Sequence, residues 1–428
     1  MTTFLLFFLS LLLMAMGIPI AWSLGIGALL TILTMEGIPL QIVPQKIYSG
    51  MCSFPLLCIP FFVLAGELMA SGKITDGLVK FSLILVGRIR GGLAMASVVS
   101  SMFFGGMSGS AIADVAALGP VEIPMMVKAG YSRRFSASLV SAAAIIGPII
   151  PPSIPMVVYA ISCGTSIGAL FLAGVIPGLV LGLFLMGAAL FWSIRAKYPK
   201  REAKVTLQEF LSTLREVIFA LFMPLIIMGG IISGVFTPTE ASAVAVGYAF
   251  VITVFVMKTL TWRDLPRLLI NTGVTTAVVM LIMGTATLWG WVLAIEQIGD
   301  RLAAFLTAFT TPFTFLLMVN LFFLLLCTFM ENISAILIFA PILAPIAERL
   351  GIHPVHFGVV FVLNTTIGLI TPPLGEVLFI AAPISGLKLD ELNLSIVGFF
   401  LIEVLALFVI TYAPPITLSI PRLFGMIP

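Results

Sequence analysis

The chain contains a phrase rich in glycine and proline twice, and the two copies lie 221 residues apart in strongly apolar surroundings. The first copy, residues 147–152, reads Gly-Pro-Ile-Ile-Pro-Pro, and the second, 368–373, reads Gly-Leu-Ile-Thr-Pro-Pro. Aligned without a gap, residues 120–152 and 341–373 share eight identities in 33 positions, most of them on Gly or Pro. A helix break at corresponding positions of two halves is the sequence signature of a secondary transporter's binding site. The repeat therefore predicts two related halves, each with a broken membrane helix.

The composition indicates a membrane protein. Hydrophobic residues make up 61% of the chain and charged residues only 9%, whereas about 25% of the residues in a soluble domain are charged. Since a spanning helix needs about 20 apolar residues, we predict an all-α polytopic membrane protein. The candidate spans are 4–35, 55–71, 166–192, 217–235, 239–257, 272–295 and 392–413.

Two further apolar stretches are interrupted in the middle by small or polar residues, which is how a re-entrant helical hairpin reads. They are about 93–127, interrupted at 105–110, and about 313–348, interrupted at 331–334. Broken helices at about 132–163 and 356–387 follow them. Non-helical backbone at membrane depth must be buried in protein or line a watery cavity. We therefore divide the chain into a first repeat (1–194), a charged cytoplasmic linker (195–216) and a second repeat (217–428).

The basic residues predict that the two repeats have opposite orientations. Six Lys or Arg residues follow the first repeat in 195–216, whereas only Arg422 follows the second. Residues 258–267 carry three basic residues, and the matching loop at 36–50 carries only Lys46. Because basic loops mark the cytoplasmic side, we expect inverted-topology repeats with both termini outside. The basic amphipathic stretch 73–90 is expected to be an interfacial arm.

Each break exposes free backbone carbonyl and N–H groups. Carbonyls and hydroxyls suit a small hard cation, and half-helix N-termini attract an anionic substrate. The hairpin tips are expected to face the breaks and form two pseudo-symmetric cation sites. The residues of site 1 are Ser108, Gly109, Ser110, Gly147, Ile150 and Pro151, and those of site 2 are Glu331, Asn332, Ser334, Gly368, Thr371 and Pro372.

Four residues are candidates for contact with the substrate: Ser110, Asp114, Asn332 and Glu376. An ionisable group at membrane depth is costly and points to function. For Asp114 and Glu376 the roles of cation ligand, proton site and helix cap all remain open. Glu240 is expected to be a first-turn carboxylate at a helix start. No transition metal is implied, because His353 and His356 flank Pro354 in a predicted solvated loop.

Several phrases, spread over nearly the whole chain, resemble the large membrane subunit of tripartite ATP-independent periplasmic (TRAP) transporters, within the ion-transporter superfamily. They are Ile-Pro-Phe-Phe at 59–62, Ala-Gly-Glu at 65–67, Ser-Gly-Ser-Ala-Ile-Ala-Asp at 108–114, Pro-Ile-Ile-Pro-Pro-Ser-Ile-Pro at 148–155, Phe-Thr-Pro-Thr-Glu-Ala at 236–241, and the second break at 368–373. One departure concerns the second break. Many family members have Leu-Asn after Thr-Pro-Pro-x-Gly, whereas Glu376-Val377 stands here.

The resemblance implies an elevator-type carrier in the bacterial cytoplasmic (inner) membrane, driven by Na⁺ bound at the two proposed sites. It also implies two partners, a small four-helix membrane subunit and a periplasmic substrate-binding protein that delivers a small organic anion, a carboxylate or sulfonate. The alternative is a stand-alone ion-coupled anion carrier that needs no binding protein. An enzyme is not expected, because the sequence has no HExxH motif or comparable nucleophile–base constellation.

Overall fold

The computed structural model describes residues 2–70, 73–198, 206–297 and 310–428, and this part of the chain is helical without any strand. Within it, six helices are long and apolar enough to cross a membrane. They are Ile167–Arg195, Leu207–Ile232, Pro238–Val256, Leu265–Ile295, Asn332–Arg349 and Leu389–Tyr412. The pair Ile42–Met51 and Phe54–Ala70, which meet at a bend of 54°, is together long and apolar enough for a seventh span or a re-entrant loop. The expected all-α polytopic membrane fold is confirmed.

Residues 2–32 form two short helices, Thr2–Ala15 and Ile20–Ile32, where the sequence predicted one interrupted span. A Cβ placed on Gly27 would lie 3.2 Å from the backbone nitrogen of Ser10. Contact between these two positions requires the chain to fold back at its turn near Gly17, which has a φ of 81°. The prediction of a single span was wrong, because the two helices pack against each other.

The charged segment between the halves is shorter than predicted. Helix Ile167–Arg195 ends at Arg195, and helix Leu207–Ile232 begins with Thr206 as its N-cap. Ten residues assigned to the linker, 207–216, are therefore helical, and residues 199–205 lie outside the described part. Residues 36–50 are likewise not all loop, because helix Ile42–Met51 begins within them. The amphipathic stretch contains helix Lys73–Val86.

Two helical pairs occupy the positions of the predicted hairpins. Hairpin 1 consists of Gly92–Ser108 and Ala111–Lys128, and hairpin 2 consists of Pro312–Leu326 and Asn332–Arg349. Ser110 caps the second limb of hairpin 1, since its Oγ accepts from the backbone N–H of Ala113 at 3.4 Å. At the corresponding place in hairpin 2, the Glu331 side chain accepts from the N–H of Ser334 at 2.8 Å.

The two broken helices follow their hairpins. Broken helix 1 consists of Arg133–Ala143 and Ile154–Cys163, and broken helix 2 consists of Pro354–Ile367 and Glu376–Ser385. A single tight turn extends each first limb, Ala144–Ile146 in one and Gly368–Ile370 in the other. The second limbs of the hairpins and the first limbs of the broken helices begin 221 residues apart, the same offset as the repeated phrase.

The hairpins and broken helices pack crosswise. The second limb of hairpin 1 contacts the first limb of broken helix 1 and the second limb of broken helix 2. The second limb of hairpin 2 contacts the first limb of broken helix 2 and the second limb of broken helix 1. A separate group, formed by Ile20–Ile32, Ile42–Ala70, Pro238–Val251 and Leu265–Ile295, packs mainly within itself. The crossed packing brings both breaks into one buried body.

Candidate ion and substrate site

The tip of hairpin 1 lies directly on the first break, backbone against backbone. A Cβ placed on Gly105 would lie 2.5 Å from the Cα of Gly147. A Cβ on Gly109 would collide with the carbonyl oxygen of Pro152, and one on Gly106 would lie 3.5 Å from the carbonyl oxygen of Pro151. At positions 105 and 109 only glycine allows this approach. As a result, the carbonyl groups of the break face the tip.

The Asp114 carboxylate belongs to the same place. The residue is fully buried, and Ser108 Oγ donates a hydrogen bond to its Oδ1. A Cβ on Gly147 would collide with Asp114 Oδ2, so this oxygen lies against the break. Asp114 Oδ2 has no hydrogen-bond partner. A buried acceptor without a donor is costly, and a cation beside it would remove that cost.

The remaining residues predicted for site 1 have different surroundings. Ile150 packs its side chain against Gly178, because a Cβ there would collide with Ile150 Cγ1. Ser110 is only partly buried, and its hydroxyl caps the helix that begins at Ala111. The structure therefore joins Ser108, Gly109 and Asp114 to the break and leaves Ser110 at the edge.

The second tip meets the second break through Cys327. A Cβ on Gly368 would collide with the Cβ of Cys327 and would lie 3.0 Å from its carbonyl oxygen. The Thr371 hydroxyl donates to the carbonyl of Ile367 at 3.1 Å, which leaves its lone pairs free to accept or to bind a cation. Thr371 is 7% exposed. Cys327 was not predicted as a contact residue, and only its position at the hairpin tip could have indicated it.

Three polar residues begin the second limb of hairpin 2. Glu331 Oε2 accepts from both the backbone N–H and the hydroxyl of Ser334, at 2.8 and 3.0 Å. Asn332 and Ser334 are buried. Glu376 stands at the start of the second limb of broken helix 2 and interacts electrostatically with Glu331. At site 2, Glu331 caps the start of a hairpin limb and Glu376 begins the limb after the break, whereas at site 1 the Asp114 carboxylate lies directly against the break.

Two buried acids were missed from the sequence, Glu122 on hairpin 1 and Glu403 on helix Leu389–Tyr412. Glu122 lies on the second limb of hairpin 1, and its two carboxylate oxygens accept hydrogen bonds from Ser97 and Ser100 of the first limb. All three side chains are buried. The signal was present, since an acid in an apolar helix two turns after Asp114 satisfies the same rule that singled out Asp114.

The two histidines lie away from both breaks. His356 is buried, not solvated as predicted, with Nδ1 at 2.7 Å from Thr417 Oγ1 and Nε2 at 3.0 Å from the Thr411 carbonyl oxygen. His353 caps helix Pro354–Ile367. Both line a cavity of about 620 Å³ together with Phe313, Tyr412 and Arg422. Glu240 forms the expected first-turn contact, because it and Thr237 make a reciprocal capping box.

The sequence matches a known family model over residues 7–416, described as the tripartite ATP-independent periplasmic transporter, DctM component. A C4-dicarboxylate TRAP transporter large permease from Pseudomonas aeruginosa is 42% identical, covering 94% of this chain and 95% of the relative. A sialic acid TRAP large permease from Vibrio cholerae is 40% identical, covering 95% and 96%. An isethionate TRAP permease, DctMQ, from Oleidesulfovibrio alaskensis is 38% identical, covering 96% of this chain and 64% of the relative.

Two solved transporters share the fold at low sequence identity. Neisseria gonorrhoeae MtrF aligns with a TM-score of 0.59 at 12% identity, covering 87% of this chain and 83% of MtrF. Alcanivorax borkumensis YdaH aligns with a TM-score of 0.54 at 15% identity, covering 88% and 89%. The resemblance in sequence, the family match and the relatives agree over nearly the full length. The chain belongs to the DctM family of TRAP transporter large permeases, which are membrane transporters and not enzymes.

Proposed function

We propose that this permease couples the uptake of a small organic anion to the entry of Na⁺. The observation that carries the proposal is Asp114 Oδ2, a buried carboxylate oxygen that lies at a helix break without a hydrogen-bond donor. Hard cations prefer oxygen ligands. The Ser108 hydroxyl and the Asp114 carboxylate supply such oxygens at the first break, and the carbonyls of Pro151 and Pro152 face the same hairpin tip. Glu331, Ser334 and Thr371 supply them at the second break.

The proposed substrate is a carboxylate or sulfonate. The relatives are named for C4-dicarboxylates, sialic acid and isethionate, which are all organic anions. The N-terminal ends of helices Ala111–Lys128 and Asn332–Arg349 lie at the two tips, where free N–H groups favour an anion. Ser110 and Asn332 stand at these ends, and Glu376 begins the second limb of broken helix 2. All three remain our candidates for substrate contact. Asp114 is assigned to the ion site instead, because it is enclosed.

We propose that the basic end of the molecule faces the cytoplasm. Arg134 pairs with Glu391 at 2.6 Å, and the Tyr198 hydroxyl accepts from the N–H of Ser132 at 3.3 Å, so these segments share one end. Lys128, Arg133, Arg195, Lys197 and Lys388 lie on the same segments. The opposite end, where Tyr412 stacks on Phe313, carries fewer basic residues. With the basic end inside, both termini are periplasmic and the repeats are inverted.

The transport step is proposed to be an elevator motion. The crossed body of hairpins and broken helices would slide against the separate group that contains Ile42–Ala70 and Leu265–Ile295. Helices Leu207–Ile232 and Leu265–Ile295 carry large apolar side chains on their exposed faces, and these faces offer surface for a small membrane subunit. Examples are Phe222, Leu225, Leu269, Ile270 and Val274. We propose that this subunit and a periplasmic binding protein are both required.

Reconstitution tests the proposal. Proteoliposomes with this chain, its small subunit and its binding protein should accumulate the binding protein's ligand when an inward Na⁺ gradient is applied. Two Na⁺ carried with a monoanion move a net positive charge, worth about 2.3 kcal/mol per 100 mV. Uptake should therefore be electrogenic, with a Hill coefficient for Na⁺ above one. Equal uptake without Na⁺ would reject sodium coupling. Robust uptake by this chain alone would instead favour the stand-alone carrier.

A further inference from the structure

Two fully buried acids lie outside the proposed ion sites, and one of them has no hydrogen-bond partner among the described residues. In the part of the chain that the structure describes, the fully enclosed carboxylates are Asp114, Glu122 and Glu403. Asp114 accepts from Ser108, and Glu122 accepts from two serines. Neither carboxylate oxygen of Glu403 has a hydrogen-bond partner. Of these three acids, Glu403 is thus the one whose ionised form has no hydrogen-bond donor to stabilise it.

Glu403 lies near the middle of the membrane helix Leu389–Tyr412. Glu391, which pairs with Arg134 at the basic end, is twelve residues earlier, or about 18 Å along a helix. Thr411, whose carbonyl contacts His356 at the opposite end, is eight residues later, or about 12 Å. The carboxyl group is therefore far from both membrane surfaces.

Among the described residues, no basic side chain is placed to compensate a charge on Glu403. Its helix packs against the first limb of broken helix 1, helix Ile167–Arg195 and both limbs of broken helix 2. The ionisable residues on those elements are Arg133, Arg134, Arg195, His356 and Glu376. The three arginines lie at the basic end, and both ring nitrogens of His356 are engaged at the other.

An ionised carboxylate in such surroundings would be unpaired and without donors, which is strongly unfavourable. The neutral form avoids the cost of an unpaired charge in such surroundings. Packing does not demand an acid here. Helices Leu389–Tyr412 and Ile167–Arg195 begin 222 residues apart, and Leu181, buried, stands at the position that matches Glu403.

We propose that Glu403 is a proton-binding site and that its proton is a further coupling ion, carried inward with sodium and substrate. Helix Leu389–Tyr412 packs on both broken helices, and in this proposal it moves with them and exposes Glu403 to water on each side in turn. The carboxylate takes up H⁺ from the outer water when the body faces outward and returns it to the cytoplasm when the body faces inward, with no other bond changed. This inference rests on the proposed function, because it assumes ion-coupled uptake by the same moving body.

Infrared spectroscopy tests whether the proton is present. A neutral carboxylic acid has a carbonyl stretching band that a carboxylate lacks, and this band shifts in D₂O. We expect the purified complex of permease and small subunit to show such a band at neutral pH and Glu403→Gln to lose it. Glu391→Gln is the matched control, since it removes an exposed acid of the same helix and should leave the band unchanged. A spectrum in which Glu403→Gln loses no acid band would overturn the proposal.

Uptake tests whether the proton moves. In proteoliposomes with the complete system and equal Na⁺ on both sides, making the outside more acidic by one unit should raise accumulation by up to about tenfold, the limit for one coupled proton. Glu391→Gln should keep this response and Glu403→Gln should lose it. If a Na⁺ gradient drives uptake by the unmodified complex but a pH gradient has no effect, the proton inference is wrong and the proposed sodium-coupled uptake stands. If neither gradient drives uptake, the proposed function fails.

Discussion

The two hairpins are built from similar pairs of helices, but the contacts between their limbs differ, being polar in hairpin 1 and aromatic in hairpin 2. In hairpin 1 the limbs are joined by hydrogen bonds from Ser97 and Ser100 to the buried Glu122. In hairpin 2 the limbs meet through aromatic rings. The ring centroid of Phe339 on the second limb lies 5.3 Å from that of Phe323 and 6.0 Å from that of Phe322 on the first limb. The first limb of hairpin 2 also turns large side chains outward, and Leu325 is 69% exposed.

The difference concerns how freely each hairpin can separate from its surroundings. Opening hairpin 1 would leave polar groups without partners in an apolar medium, which is costly. Aromatic and aliphatic contacts are less directional, and lipid chains are as apolar as the side chains they replace. We therefore expect hairpin 2 to move more easily than hairpin 1, although both tips rest on a glycine of a break.

The largest effect is expected where the two hairpins are alike. Gly147→Ala would force a methyl group into the Asp114 carboxylate, and Gly368→Ala would force one into Cys327. Because the obstacles are packed tip groups and not flexible chain ends, each tip must shift, at a cost of about 1–3 kcal/mol. We expect each variant to lose nearly all sodium-driven uptake. Gly187→Ala, on a helix surface with no atom within 4 Å of the new methyl, is the matched control and should transport normally.

Next in size is the loss of a tip carboxylate. Asp114→Asn removes the charge of an enclosed residue whose Oδ2 has no other partner, and a bond to a charged group is worth about 1.5–3 kcal/mol. The Na⁺ concentration for half-maximal uptake should rise by about 10–100-fold. Glu331→Gln should raise it less, because the amide oxygen can still cap Ser334 and Glu376 remains nearby. Equal shifts in both variants would contradict the difference between the sites.

A smaller effect should separate the hairpin interiors. Ser97→Ala with Ser100→Ala leaves Glu122 without donors, which costs about 1–3 kcal/mol. Thermal unfolding of the purified complex should therefore occur at a lower temperature. Adding Glu122→Leu, so that hairpin 1 becomes apolar like hairpin 2, should recover much of the loss, because removing both partners is often nearly neutral. A triple variant less stable than the double would show that the carboxyl group stabilises the hairpin in another way.

The sequence predicts the breaks well because Gly and Pro act on the backbone locally. The apolar runs on either side of 105–110 and 331–334 predict hairpin limbs for the same reason, and Thr237 with Glu240 predicts a helix start. Contacts between distant segments were not readable. The fold-back of residues 2–32 depends on Gly27 meeting Ser10, and the bonding of Glu122 depends on how two limbs align. Neither alignment has a local signature.

The smallest expected effect concerns the tip and break hydroxyls, Ser110 and Thr371. Both hydroxyls already make a local bond, Ser110 with the N–H of Ala113 and Thr371 with the carbonyl of Ile367. Substitution by alanine removes a cap worth about 1 kcal/mol from the helix after Ser110. At Thr371 it removes a hydroxyl that is nearly enclosed and still has lone pairs for a cation. We therefore expect Thr371→Ala to raise the Na⁺ concentration for half-maximal uptake about tenfold or less, and Ser110→Ala to change it less than Thr371→Ala does. The measurement is sodium-dependent uptake by the complete system, with complex stability followed in parallel. A larger sodium effect for Ser110→Ala at unchanged stability would mean that the exposed tip hydroxyl is an ion ligand and that the first site extends further towards the substrate than the enclosed Asp114 suggests.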